Sequence, residues 1–155
     1  MTARSRAWSI LARQLAVVDS QKDCHTNEMT TVAVIGASND RRKFGNKAVR
    51  AFLRSGYRVI PVNPRLAAAG EMVEGCETYA TVLDIPHDID LATLYVKPGI
   101  GRIIIATIAK KKIPELWVNP GAESEELVVE ASERGILVRE HCSIVAIGQS
   151  PADYE

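Results

Sequence analysis

Cysteine, net charge, long apolar runs and catalytic spacings are all scarce in this chain of 155 residues. Its three cysteines, Cys24, Cys76 and Cys142, are an odd number at unrelated spacings, which argues against a disulfide framework and against a zinc site. Nineteen basic and nineteen acidic side chains cancel, so no global field draws the protein to nucleic acid or to an anionic membrane. No segment approaches the roughly 18 consecutive apolar residues that a membrane span needs. The three histidines, His25, His87 and His141, form no H-x-x-x-H pair, and there is no C-x-x-C; no metal site is expected. Ser38 lacks a G-x-S-x-G elbow, so a hydrolase triad has no starting point and no catalytic residue is assigned.

What remains is the composition of an ordinary globular domain, 46% hydrophobic and 25% charged. A reducing, cytoplasmic setting is the expectation that fits its unpaired thiols. The first 28 residues differ from the rest. Between Met1 and Val18 there are three arginines and no acid, with Trp8, Leu11, Leu15 and Val18 at helical spacing. That composition suits an organelle transit peptide, a peripheral helix packed on the domain, or an over-long start whose true beginning is Met29. We expect residues 1–28 to be a poorly anchored extension and residues 29–155 to be the functional domain.

From Thr31 onward, strand-like and helix-like segments alternate. The continuous apolar run Thr31–Gly36 reads as a buried strand, and Phe44–Ser55 as a helix with Ala48, Val49, Phe52 and Leu53 on one face, stopped at Gly56. Tyr57–Val62 is a second strand ended by Asn63-Pro64. Arg65–Gly75 reads as a loop with a short strand at Met72-Val73, and Tyr79–Leu83 as a short helix. Asp90–Val96 is a third strand, Gly99–Lys112 a helix, Glu115–Val118 a strand, Ser124–Arg134 a capped helix, and Ile136–Val138 the last strand. Strands separated by helices of this length imply right-handed crossovers and a mostly parallel, doubly wound α/β sheet. Ligands of such sheets sit beyond the carboxyl ends of the strands.

That rule turns strand ends into candidates. Gly36, Ala37 and Ser38 form a small turn between strand and helix, where backbone amides can approach a phosphate. Ser38 and Asn39 add polar side chains, and Arg41, Arg42 and Lys43 place three cations before the helix. The spacing is not G-x-G-x-x-G, because Gly45 follows Gly36 by nine positions. After the second strand, Val62, Asn63 and Pro64 stand where a dinucleotide dehydrogenase carries an acid for a ribose diol. No acid is there. Arg65, next in line, suits an extra phosphate on that ribose, while Pro61 and Pro64 equally suit a plain exit from the sheet. Lys97 and Pro98 close the third strand, as a cation and a border for the ligand or as an ordinary strand-end turn. Asn119-Pro120-Gly121 and Arg139–Cys142 are further strand-end candidates, and Cys142 is either reactive beside Arg139 and His141 or a packed thiol.

With those residues in view, the chain resembles the small stand-alone CoA-binding proteins, whose domain is similar to the CoA-binding domain of the succinyl-CoA synthetase alpha subunit and of NDP-forming acyl-CoA synthetases. The resemblance rests on Val34-Ile35-Gly36-Ala37-Ser38, on Gly56-Tyr57-Arg58-Val59-Ile60-Pro61-Val62-Asn63-Pro64, on Pro86-His87-Asp88-Ile89-Asp90, on Glu115-Leu116-Trp117-Val118 with Gly121, and on Glu140-His141-Cys142. It implies a Rossmann-like sheet of five or six strands with helices on both faces. It further implies that Gly36, Ala37 and Ser38 hold a CoA pyrophosphate and that Lys43 meets a CoA phosphate. Val62, Asn63 and Pro64 would line the adenosine side, with Lys97 and Pro98 opposite. The family's relatives that do chemistry carry further domains, one with a phosphorylated histidine, and no plausible phosphohistidine loop is seen here. The expectation is therefore a binding module, sensor or subunit for coenzyme A or an acyl-CoA, without catalysis of its own and with no protein partner identified. The alternative is an NADP-linked oxidoreductase or redox-sensing protein, for which Arg65 would meet the 2′-phosphate. A third possibility is a mixed disulfide between Cys142 and CoA.

Overall fold

The computed structural model describes residues 29–155; the extension expected over residues 1–28 lies outside the described residues. Five strands, β1 (Thr31–Ile35), β2 (Arg58–Val62), β3 (Leu91–Leu94), β4 (Glu115–Val118) and β5 (Leu137–Glu140), form one parallel sheet in the order β2-β1-β3-β4-β5. β1 is buried along its whole length, as its continuous apolar sequence requires of a central parallel strand covered on both faces. Its side chains alternate between two cores. Val32 and Val34 face Val49 and Phe52 of α1 (Phe44–Arg54) together with Ile144 of α5 (Ser143–Ala146). Ala33 and Ile35 face Ile105 and Ile108 of α3 (Pro98–Lys110) and Leu127 of α4 (Glu125–Glu133). The sheet is thus covered on both faces, as the alternating pattern implied.

α1 ends where Gly56 takes φ +86°, with Gly56 N–H donating to the Leu53 carbonyl (3.1 Å) and Tyr57 N–H to the Phe52 carbonyl (3.0 Å). This is a Schellman stop, and the edge-on contact of the Phe52 and Tyr57 rings, 4.9 Å between centroids, seals it. The predicted loop Arg65–Gly75 begins instead with a five-residue helix, α2 (Pro64–Ala68). Asn63 supplies the cap and Pro64 the first helical position, the two residue types best suited to start a helix. The expected short strand at Met72-Val73 is a single antiparallel bridge from Val73 to Cys76 around Glu74-Gly75. The short helix expected at Tyr79–Leu83 is a 3-10 turn shifted to Val82–Asp84 and capped by Thr81. β3 is shorter than the predicted Asp90–Val96 at both ends; Asp90 flanks it, its carboxylate accepting the Thr31 amide at 2.8 Å and its own amide donating to the Thr31 carbonyl at 3.0 Å.

β1 leads through α1 to β2 on one side, and the chain then passes to β3 on the other side of β1. That reversal opens a crevice between the carboxyl ends of β1 and β3, the place where doubly wound sheets accept ligands.

Candidate functional site

The crevice begins at Gly36, which takes φ +93° and donates its N–H to the Val62 carbonyl at 3.0 Å. Its amide is therefore committed to the sheet, and its contribution is conformation and space. A Cβ at Gly36 would lie 2.6 Å from the Tyr95 carbonyl oxygen, and a Cβ at Gly45 would lie 2.2 Å from the Gly36 carbonyl oxygen. Two glycines nine positions apart thus let the end of β1, the end of β3 and the first turn of α1 converge on one another. Gly45 was not among the residues singled out from the sequence; its role depends on which backbone it meets, and spacing alone does not show that.

Around this junction several backbone donors face no protein acceptor. Within α1 the first bonds are those from the Asn46 and Lys47 amides to the Lys43 carbonyl (3.0 Å each). The preceding amides of Phe44 and Gly45, like those of Ser38 and Asn39, donate to nothing among the described residues. The turn's carbonyls are held: Asn63 Nδ2 donates to the Ala37 carbonyl at 2.8 Å and Asn46 Nδ2 to the Ser38 carbonyl at 2.9 Å. The Ser38 hydroxyl accepts the Asp40 amide at 3.0 Å, and Asn39 donates to the Glu71 carboxylate at 2.9 Å. Ala37 itself is fully buried in the α1-side core.

The three consecutive cations separate into two kinds. Arg41 pairs with Glu74 at 2.8 Å and Arg42 with Asp40 at 2.9 Å. The Arg42 side chain and amide bonds to Asp40 hold that carboxyl down at about 2. Lys43 makes no ion pair among the described residues, and neither does Lys97 at the end of β3. Both lysines line one depression of about 280 Å³ together with Gly36, Gly45, Tyr95 and Pro120. Two solvent-facing cations, Lys43 at the start of the eleven-residue α1 and Lys97 at the start of α3, favour an anion between them.

A second, apolar cavity of about 400 Å³ adjoins the first, and Gly36 and Val96 line both. Its walls include Val62, Asn63 and Pro64 from the end of β2, Val82, and Ile100, Ile103 and Ile104 of α3. Arg65 stands exposed beside it without an ion pair among the described residues. Pro98, the first residue of α3, lines neither space. From sequence α3 is only a helix and its isoleucines are assigned no role; Ile103 is 76% exposed. Their place along the cavity wall is visible only in the folded chain.

Beyond the cations the crevice abuts a tied polar cluster. Asn119 donates to the Thr93 hydroxyl (2.7 Å) and the Leu94 carbonyl (3.0 Å) and accepts the Ser143 amide (2.8 Å). This fixes the loop from which Pro120 and Gly121 face the depression. Tyr95 forms the wall between, and burial pushes its phenol well above the ordinary tyrosine range. Cys142 is half-buried in the α1-side core. Among the described residues no cluster of three metal-ligating side chains occurs, and no helix is long and apolar enough to cross a membrane.

A family model described as "CoA binding domain" matches residues 30–148. The chain is similar to the alpha subunit of acetate–CoA ligase [ADP-forming] II from Pyrococcus furiosus, 41% identical over 66 residues, covering 42% of this chain and 14% of that protein. It is also similar to acetate–CoA ligase [ADP-forming] II from Archaeoglobus fulgidus, 32% identical over 120 residues, covering 70% of this chain and 17% of that protein. Each match therefore spans less than a fifth of the ligase's length. Among solved structures, a conserved hypothetical protein from Pyrococcus furiosus superposes with a TM-score of 0.69 at 30% identity, over 76% of this chain and 99% of that one.

Proposed function

The chain belongs to the CoA-binding domain family, and from that footing we propose that residues 29–155 are a module that holds coenzyme A or an acyl-CoA in the crevice between β1 and β3. The pyrophosphate lies against the turn Gly36-Ala37-Ser38-Asn39 and the first amides of α1, flanked by Lys43 and Lys97. The adenosine enters the apolar cavity beside Val62, Asn63 and Pro64, and Arg65 meets the ribose phosphate at its rim. Pro98 fixes the start of α3, the far wall.

The observation that carries this reading is the union of two unlike spaces at Gly36 and Val96, one flanked by two lysines without an ion pair among the described residues and the other apolar. A phosphorylated adenosine ligand has the same two halves. The end of β2 offers Asn63 and Pro64 where a carboxylate would grip the free ribose diol of NAD. Among the described residues no nucleophile or general acid–base pair converges on the crevice, which favours a carrier, sensor or subunit that presents CoA to a partner.

Thermal unfolding with CoA, acetyl-CoA, NAD, NADP and ATP, each at about 1 mM, tests the reading. A ligand at 100 times its Kd adds about 2.7 kcal/mol, a plainly visible shift. CoA and its ester are expected to stabilise the protein and the others to leave it nearly unchanged. Stabilisation by NADP alone overturns the proposal in favour of redox chemistry.

A further inference from the structure

Asn46 and Asn63 lie on different elements, yet each donates a side-chain amide to one of two consecutive carbonyls of the candidate phosphate turn. Neither has much left for a ligand. The Asn46 side chain is fully buried; its Nδ2 also donates to Glu74 Oε2 at 3.3 Å, and its Oδ1 accepts Arg50 Nε at 2.7 Å. Asn63 Oδ1 accepts both the Arg65 amide (2.9 Å) and the Leu66 amide (3.1 Å) as the cap of α2.

A trans peptide is planar, and its C=O and N–H point in opposite directions. Holding the Ala37 carbonyl toward Asn63, at the β2 side of β1, turns the Ser38 N–H toward β3. Holding the Ser38 carbonyl toward Asn46, on α1, turns the Asn39 N–H away from that helix. Both amides then point away from the groups that hold the turn, and neither has a protein acceptor among the described residues. We infer that Asn46 and Asn63 are positioning residues: they clamp the two carbonyls so that the Ser38 and Asn39 amides are presented, already oriented, to the pyrophosphate. This rests on the CoA-binding reading, but it reassigns Asn63 from an adenosine contact to an organiser of the turn, and it gives Asn46 a task of its own. The cost of burying Asn46 is met by its full set of partners.

Asn63→Ser separates the two roles. A serine hydroxyl still caps α2 but is too short to reach the Ala37 carbonyl, and it adds no charge. Amide resonances of Ser38 and Asn39 are followed by NMR while inorganic pyrophosphate, adenosine or CoA is added. Calorimetry gives the CoA affinity, and a urea midpoint checks folding. In the wild type, pyrophosphate and CoA are expected to move both resonances. In Asn63→Ser the pyrophosphate response shrinks, adenosine binding is retained, and CoA binds about tenfold more weakly, the scale of one charge-assisted hydrogen bond. Lost adenosine binding with an intact pyrophosphate response would make Asn63 a ligand contact and overturn the inference. Unchanged responses to every probe would reduce it to a helix cap and overturn the inference too. If CoA shifts other crevice resonances but not Ser38 and Asn39, the clamp serves no ligand and falls while CoA binding stands. If CoA moves no resonance at all, the functional reading fails and takes the clamp with it.

Discussion

Replacing Gly45 by alanine pits two well-known effects against each other. Alanine has the better helix propensity by about 1 kcal/mol, so a glycine in the first turn of α1 is intrinsically a weak choice. The added Cβ would sit 2.2 Å from the Gly36 carbonyl oxygen and 3.3 Å from the Ala37 Cα. Relief requires α1 to retreat from the central strand by roughly 1 Å, because the obstacle is backbone and not a movable side chain. Overpacking a well-filled core costs about 1–3 kcal/mol. Taking the upper part of that range and subtracting the propensity gain leaves a net loss of about 2 kcal/mol, or about 8 °C in Tm for a domain of this size. The retreat also withdraws the Phe44 and Gly45 amides from the anion position, so CoA binding weakens by about tenfold or more. Gly99 is the matched control. It too lies in a helical first turn, that of α3, but its Cβ would meet nothing within 4 Å. Gly99→Ala is expected to be neutral or stabilising by up to about 1 kcal/mol. Urea unfolding of both variants, with calorimetric CoA titration, decides the matter. If Gly45→Ala proves as stable as Gly99→Ala, the close approach of helix and strand does not constrain the site, and the reasoning is refuted.

Two other expectations concern charge. Lys43→Ala and Lys97→Ala should each weaken CoA binding about three- to tenfold and flatten its dependence on salt, since exposed cations act through screened attraction; an unchanged salt slope in both would remove the lysines from the anion site. Tyr95 has its phenol raised by burial, so its contribution to stability is fully present below the ordinary tyrosine pKa near 10 and is lost as pH rises through the higher folded value. Ultraviolet titration of wild type against Tyr95→Phe should show that this phenol ionises only together with alkaline unfolding, and a reversible titration of Tyr95 in the folded protein near pH 10 would contradict its burial.

The architecture was largely readable because its signals are local. β1 carries an unbroken apolar run, which only a strand buried on both faces tolerates, and α1 carries a helical stripe with its stop at Gly56. α2 was hidden because Asn63-Pro64 serves equally as the end of a strand and the start of a helix. At the site, the Gly-Ala-Ser turn and the missing carboxylate after β2 were visible in sequence. The sorting of Arg41, Arg42 and Lys43 was not: Arg42 pairs locally with Asp40, but Arg41 depends on Glu74, 33 positions away, whose place follows only from the hairpin around Glu74-Gly75. Gly45 and Asn46 were overlooked for a related reason. A glycine in a helix or a buried asparagine looks like a defect until the backbone it serves is known. Asn46 interrupts the apolar face of α1, and that polar residue among core positions was the one clue available.

The position of β1 between β2 and β3 also bears on how the chain folds. β1 pairs with Arg58–Val62 on one side and, with Val32 opposite Leu91, with a strand 59 residues away on the other. Closing that long loop is entropically slow, and the crevice does not exist until it has closed, because its walls come from both neighbours of β1. A CoA molecule held there, as proposed, would recognise the closed crevice and not the open chain. Ligand contacts that form only after the transition state should lengthen the lifetime of the native protein by slowing unfolding, and leave the rate of folding untouched.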